Sequence, residues 1–381
     1  MDVSVCECRS YEIAPCRAAL ERVLAPLGGL DWVKPGMKIA VKANLVAFLK
    51  PEAAATTHPA LLCALSQMLC ERGATVVIGD SPGGIYTSSY VNHVYHATGM
   101  RQVEQYGAKL NQDFSQKTAQ YPQAMVAKSF QYTAWLDQYD AIIDFCKLKS
   151  HGMMAMSAAT KNLFGTIPGT LKPEYHFRYP DHMEFARMLV DLAEYWKPRL
   201  SIVDAVVGME GNGPTAGTPK PIGAVLAGYN PHALDLACAK IIGLDRSEIP
   251  TLEAALERGL IPARVEELEI CGDLASFFVP DFQKIETKNR ILFQDDVRGP
   301  LGKLVSPVLR NALASRPEVT KGECIGCKKC AEICPAKAIT MQHQKPHIRR
   351  KQCIRCFCCQ EFCPKGAMKV KRPPLARLLN Q

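Results

Sequence analysis

The chain has 381 residues, 48% of them hydrophobic, enough to build two domains or more around real cores without help from disulfides. Its formal charge of +9 is unevenly placed: residues 297–381 hold 18 Lys and Arg against 4 Asp and Glu, and residues 1–296 hold 28 against 33. The opening MDVSVCECRSYEIAP lacks the basic-then-apolar character of a secretory leader, no stretch approaches the length of a membrane span, and the scattered cysteines suit a reducing compartment, so a cytoplasmic location is expected.

Apolar runs and helix-like stretches alternate through the first 245 residues. MKIAVKANLV (37–46) and ATVVIGD (74–80) read as buried strands. THPALLCALSQMLCERG between them reads as a helix that starts at Thr57 and stops at Gly73. YDAIIDFCKLK (139–149), RLSIVDAVVG (199–208) and IGAVLAGY (222–229) read as further strands, with a helix over MEFARMLVDLAEYW closed by Pro198. Strand, helix, strand in repetition predicts an α/β domain, a mainly parallel sheet with helices on both faces.

In such sheets ligands bind beyond the carboxyl ends of the strands. That rule selects Lys42 and Asn44 after the first strand, His58 at the helix start and Asp80 in GDSPGG. It also selects Lys147, Lys149 and His151 in KLKSHG, Lys161 and Asn162 in TKNLFG, Asp204 in the fourth strand, and Glu210, Asn212 and Gly213 in GMEGNGPTAG. Lysines supply mobile positive charge and glycines let backbone N–H groups approach an oxyanion, so Lys42, Lys147, Lys149 and Lys161 are expected to converge on one anion pocket. Each lysine taken alone is as well explained as a solvated strand end. GMEGNG is no dinucleotide fingerprint, because its glycine order is wrong and Pro214 and Pro219 discourage the helix required. His176, Asp181 and His182 read as a loop with surface histidines rather than a metal site, and Cys146 as a buried strand thiol.

GPLGKLVSPVLRNALASR (299–316) reads as a packed interdomain linker in preference to a basic amphipathic helix. Beyond it, CIGCKKCAEICP (324–335) and CIRCFCCQEFCP (353–364) both follow C-x2-C-x2-C-x3-C-P. In that spacing three close thiolates hold one cubane, and the fourth, before proline, ligates the other. The expected ligands are therefore Cys324, Cys327, Cys330 and Cys363 for one 4Fe-4S cluster, and Cys353, Cys356, Cys359 and Cys334 for the second. Structural zinc usually takes two separated pairs, which these runs do not offer. Cys358 stands outside the spacing and reads as a buried neighbour of a cluster. The resulting plan is an α/β domain over 1–296, a linker over 297–318, a small α+β dicluster ferredoxin domain over 319–372 and a basic tail over 373–381. Part of the positive charge offsets the clusters, and the remainder suits an acidic redox partner, the acidic face of the first domain or an anionic membrane surface. Nucleic acid is disfavoured, since the basic residues lack interleaved aromatics.

VKANLV, TTHP, GDSPGG, KLKSHG with TKNLFGTIPG, and VDAVVGMEGNGPTAG, in this order, resemble the domain of unknown function 362 family, which is often joined to a C-terminal dicluster ferredoxin module. The resemblance covers roughly residues 36–245 and 321–368, and departs from the family pattern at Ser150, where threonine is favoured. It implies the fold and the clusters and leaves the substrate open, since the family has no general established reaction. The expected function is single-electron exchange with a redox partner protein or an anionic small molecule. Two other classes compete: an assembly protein whose α/β domain docks a client, and a non-redox enzyme with structural clusters.

Overall fold

The structure, a computed structural model, describes residues 1–285 and 315–371. All five runs expected as strands enter one sheet, as β2 (Lys38–Lys42), β3 (Thr75–Gly79), β7 (Ala141–His151), β9 (Leu200–Glu210) and β10 (Thr218–Gly228). Joining them are β1 (Val3–Glu7), β4 (Lys109–Leu110), β8 (Ala155–Ser157) and β11 (Ile270–Cys271), while β5 (Gln116–Gln120) and β6 (Ser129–Thr133) form a separate hairpin. The strand order is β11-β1-β10-β9-β7-β2-β3-β4, with β8 folded back on β7. From β9 to β4 the neighbours run parallel, whereas β10 is antiparallel to both β9 and β1. The run 222–229 is thus the return arm of a hairpin, because the residues from 211 to 217 are too few to build a crossover helix.

Side chains alternate across a strand, so Ile143 and Phe145 turn to one face of β7 and Cys146 and Leu148 to the other. The first face is covered by α1 (Ile13–Leu24), α2 (Pro59–Cys70) and α3 (Ser88–Ala97), which bury Leu20, Leu61 and Val94. Short helices α4 (Ala159–Asn162) and α5 (Lys172–Arg178) precede α6 (His182–Trp196), α7 (Pro231–Ile241) and α8 (Pro250–Glu257), which bury Phe185, Leu234 and Leu252 on the second face. Asp181 caps α6 by accepting the N–H groups of Met183 and Glu184. The cap of α2 is His58 rather than Thr57: Pro59 takes the first helical position, and His58 Nδ1 accepts the Ala60 N–H. Thr57 Oγ1 instead accepts from Asn44 N and donates to the Phe145 carbonyl.

In the small domain β12 (Arg316–Val319) pairs with β15 (Met368–Lys371), and β13 (Ile339–Gln342) with β14 (Lys345–Ile348). β12 begins inside the stretch expected as linker; residues 286–314 and the basic tail lie outside the described residues. The domain is held against the strand ends of the large one. Gln360 Nε2 donates to the Asn212 and Gly213 carbonyls at 2.7 and 2.9 Å, and Thr215 Oγ1 donates to the Glu361 carbonyl at 3.0 Å. Phe357 is buried in the core of the large domain. A Cβ on Gly83 would stand 2.9 Å from the Phe362 ring, so glycine is what lets that ring settle. Among the described residues no helix is long and apolar enough to cross a membrane.

Candidate functional site

Between the strand ends and the stretch from Cys358 to Lys369 lies a cavity of about 630 Å³. β7 brings Lys149 and His151 to it, α4 brings Lys161 and Asn162, and α5 brings Lys172 and His176. From the small domain come Cys358, Glu361, Phe362 and Cys363.

Lys149 Nζ donates to Asn44 Oδ1 at 2.6 Å and to the Ala55 carbonyl at 2.8 Å. Burial pushes its ammonium down to about 7, and the charge of Lys161 adds to the effect. Lys172 donates to the Ser81 carbonyl, and burial lowers it to about 8 against the opposing pull of Asp80. Lys161 has no hydrogen-bond acceptor among the described residues; its ammonium stands 4.8 Å from the centre of the Phe164 ring, and burial lowers its pKa. None of the three has a carboxylate of its own within ion-pair distance among the described residues.

His151 Nδ1 accepts the N–H groups of Met153 and Met154 at 3.1 and 3.2 Å, which leaves the ring proton on Nε2. That nitrogen faces Glu361 Oε1 at 3.0 Å, a close polar contact that is not aligned as a hydrogen bond. Burial holds the His151 ring at about 4, hence neutral near pH 7. Burial acts to raise the Glu361 carboxyl, but contact with His151 and the charges of Lys161 and His176 outweigh it and bring it to about 2. His176 stacks on Phe185 at 4.2 Å, burial lowers it to about 3, and its Nδ1 has no hydrogen-bond partner among the described residues.

At the floor Asn162 is a hub. Its Oδ1 accepts from Asn44 at 2.8 Å and from Lys42 at 3.2 Å, and its Nδ2 donates to Asp144 at 2.7 Å. Burial drives the Asp144 carboxyl up to about 8 despite Lys42. Lys42 is paired with Asp80 at 2.7 Å. A Cβ on Gly165 would lie 2.2 Å from Asp80 Oδ1 and 2.5 Å from Lys42 Nζ, so only glycine leaves that pair its room.

Of the residues the sequence pointed to, Asn44, Asp80, Lys149, His151, Lys161 and Asn162 line the cavity, and Lys42 lies one layer below. Lys147, Asp204 and His58 belong elsewhere. Lys147 Nζ donates to Asp204 at 2.9 Å and to the Tyr11 hydroxyl at 2.8 Å, Tyr11 donates to Asp204 at 2.8 Å, and His58 stacks on the Tyr11 ring at 3.6 Å. The four lysines therefore do not converge, because the register of β7 against β9 shifts between Lys147 and Lys149 and separates their partners. Glu210 accepts from Gln283 N at 2.9 Å. Asn212 and Gly213 dock the small domain, since β9 turns into a hairpin whose loop faces that way. His176 is 2% exposed in α5 and lines the cavity, which corrects its reading as a surface-loop histidine. Lys172 and Glu361 were not singled out from sequence. Lys172 closes the same loop that follows Lys161, and Glu361 is the last acidic residue of a strongly basic segment, a signal in itself.

The cysteine runs repeat each other in backbone as well as in spacing. Gly326 and Arg355 are left-handed at equivalent positions, as are Lys328 and Phe357, each of the latter capping a short helix, Lys329–Glu332 and Cys358–Glu361. Cys324, Cys327, Cys330 and Cys363 line one small cavity. Burial raises the Cys359 thiol, and Cys356, Cys353, Cys334 and Cys330 are near enough to add to the effect. Among the described residues no three such donors close on a single ion, and four cysteines lining one cavity supply the thiolate donor set that an iron-sulfur cluster takes. Cys358 is buried, and it faces the interdomain cavity.

A family model described as Domain of unknown function (DUF362) matches residues 39–240, and one described as a 4Fe-4S dicluster domain matches 323–367. The thylakoid-associated protein sll1697 of Synechocystis sp. is 32% identical over 274 residues, 69% of this chain and 81% of its own length. The lactate racemase apoprotein from Thermoanaerobacterium thermosaccharolyticum superposes with a TM-score of 0.40 at 11% identity, over 64% of this chain and 57% of its own. A protein from Thermotoga maritima does so with a TM-score of 0.36 at 14% identity, over 59% and 57%. The chain spans little more than half the length of these two solved structures.

Proposed function

We propose that this chain, which belongs to the domain of unknown function 362 family and ends in a 4Fe-4S dicluster domain, is a redox protein that exchanges single electrons with an anionic ligand held between its two domains. Cys324, Cys327, Cys330 and Cys363 would hold one 4Fe-4S cluster, and Cys353, Cys356, Cys359 and Cys334 the other; bound there, the clusters supply single-electron exchange. The observation behind this reading is the shared wall: Cys363 lines the same cavity as Lys149, Lys161 and Lys172.

The chain's own residues give that cavity its chemistry. The lysines attract and hold negative charge, Asn44 and Asn162 orient Lys149, and Phe48 and Phe362 limit the water that enters. The His151–Glu361 contact keeps a proton at Nε2 beside the ligand space. Such a site fits a ferredoxin-linked oxidoreductase. At the outer edge, exposed Cys327 and Ile325 among Lys321 and Lys328 suit an acidic electron-carrying partner protein. The eight cysteines outside the small domain are free thiols, which favours a reducing compartment, and we place the chain in the cytoplasm.

Anaerobically purified protein should contain about eight iron atoms and about eight labile sulfides per chain. Iron near half that amount would refute the two-cluster assignment. In a potentiometric titration followed by electron paramagnetic resonance, a saturating oxyanion should shift a cluster midpoint potential, and Lys161→Met should abolish the shift without altering the cluster spectrum. Potentials that ignore every oxyanion tried would sink the link between cavity and clusters.

A further inference from the structure

We infer that the interdomain cavity is shaped for an organic dianion, a doubly charged phosphate- or dicarboxylate-type head joined to a flat apolar body, rather than for a bare oxyanion. This deepens the reading of the cavity as a ligand site and rests on it.

Charge sets the head. On the inner side of the cavity the Lys42–Asp80 pair is balanced, and three further lysines, Lys149, Lys161 and Lys172, face one further carboxylate, Glu361, while elsewhere on the wall Glu323 pairs with Lys369 and Lys329 and Lys365 are exposed to solvent. Two positive charges are left over. Lys149 and Lys172 lean on neutral oxygens, and Lys161 has no acceptor among the described residues. Enclosed cations without counter-charge are costly, so a monoanion would leave one uncompensated and a dianion would balance both. His176, 2% exposed with an Nδ1 that has no hydrogen-bond partner among the described residues, adds a polar contact beside Lys161.

Shape sets the body. A second stretch of wall is apolar: Phe48 meets Tyr90 edge to face at 4.6 Å, and Phe362 packs over Gly83 beside Val46. Phe48 remains 44% exposed, an aromatic surface that the described residues do not cover. The volume of about 630 Å³ falls in the range of about 300–1,000 Å³ that encloses molecules of ten to thirty heavy atoms or so. A bare oxyanion would leave those rings facing water, whereas a planar apolar group would stack on them.

Calorimetric titration of the anaerobically purified full-length holoprotein tests this with four probes: inorganic phosphate, phenyl phosphate, 1-naphthyl phosphate and the monoanionic methyl ester of phenyl phosphate. Naphthyl phosphate should bind at least about tenfold tighter than phosphate, and methylation should cost phenyl phosphate about tenfold or more. Phe48→Ala should weaken naphthyl phosphate several-fold and leave phosphate unmoved. Equal affinity for phosphate and naphthyl phosphate overturns the apolar body, and equal affinity for phenyl phosphate and its methyl ester overturns the double charge. Either result leaves the anion site itself standing. If none of the four binds while the cluster spectrum is intact, the anion site falls and this inference with it.

Discussion

Lys147 and Lys149 stand two residues apart on one strand, and each is 1% exposed, yet their surroundings are opposite. Lys147 has a carboxylate, Asp204, at 2.9 Å, placed directly across the β7–β9 register. Burial lowers the Lys147 pKa, but Asp204 opposes that and keeps the pair a closed unit with Tyr11. Among the described residues Lys149 has only the neutral oxygens of Asn44 and Ala55 as acceptors. A buried cation with its counter-charge in place is finished architecture, and one without is a vacancy for a ligand. Chain position after a strand does not separate the two cases; the register of the next strand does.

The sharpest test removes the closed lysine. Lys147→Met leaves Asp204 buried without its counter-charge, held only by the hydrogen bonds of Tyr11, His58 and Val206, and should cost about 3–5 kcal/mol of folding stability in urea denaturation. Adding Asp204→Asn should recover part of that loss, since the two side chains act as a unit. A loss below about 1 kcal/mol would mean that water or another cation reaches Asp204.

The open site should behave in the reverse way. Lys161→Met should leave stability within about 0.5 kcal/mol, because no protein acceptor is orphaned. Its effect should appear in anion binding, weakened by about 1.5–3 kcal/mol as a charge-assisted contact is lost. Destabilisation comparable with that of Lys147→Met would erase the distinction between the two sites.

A milder perturbation is pH. Lys149 titrates at about 7 and Lys172 at about 8, so anion affinity should fall as pH rises across that interval, by up to about tenfold per unit for each group. For folding the sign is opposite. Below 7 the Lys149 proton is bound in both folded and unfolded chains and the full desolvation cost is felt; between about 7 and its ordinary 10.5 the unfolded chain holds more proton, so stability rises with pH. Relative to Lys149→Met, the protein should therefore gain stability from pH 7 to pH 10. A flat difference would show the ammonium to be hydrated.

Much was legible because it depends on neighbours along the chain. YDAIIDFCKLK and RLSIVDAVVG are short apolar runs, the local mark of a strand buried on both faces, so β7 and β9 could be read before any partner was known. The cysteine runs were equally local, since three of the four thiols in each are fixed by spacing alone. Polar positions beyond the strand ends were found by the same means, and six of them, Asn44, Asp80, Lys149, His151, Lys161 and Asn162, do line the cavity.

Tertiary structure decided what depends on residues far apart in sequence. Whether Lys147 meets Asp204, 57 residues on, is a matter of register between two strands, and no local period encodes it. The loop after β9 could have cradled an anion by composition; it became a docking clamp because β10 returns antiparallel and turns Asn212 and Gly213 toward Gln360. Glu361 entered the site from a segment more than two hundred residues downstream of Lys149, carried there when Phe357 was buried in the large domain's core. Hydrophobic periodicity is summed over neighbours and survives in the sequence, whereas the pairing of buried charges is settled only when distant surfaces meet and water leaves.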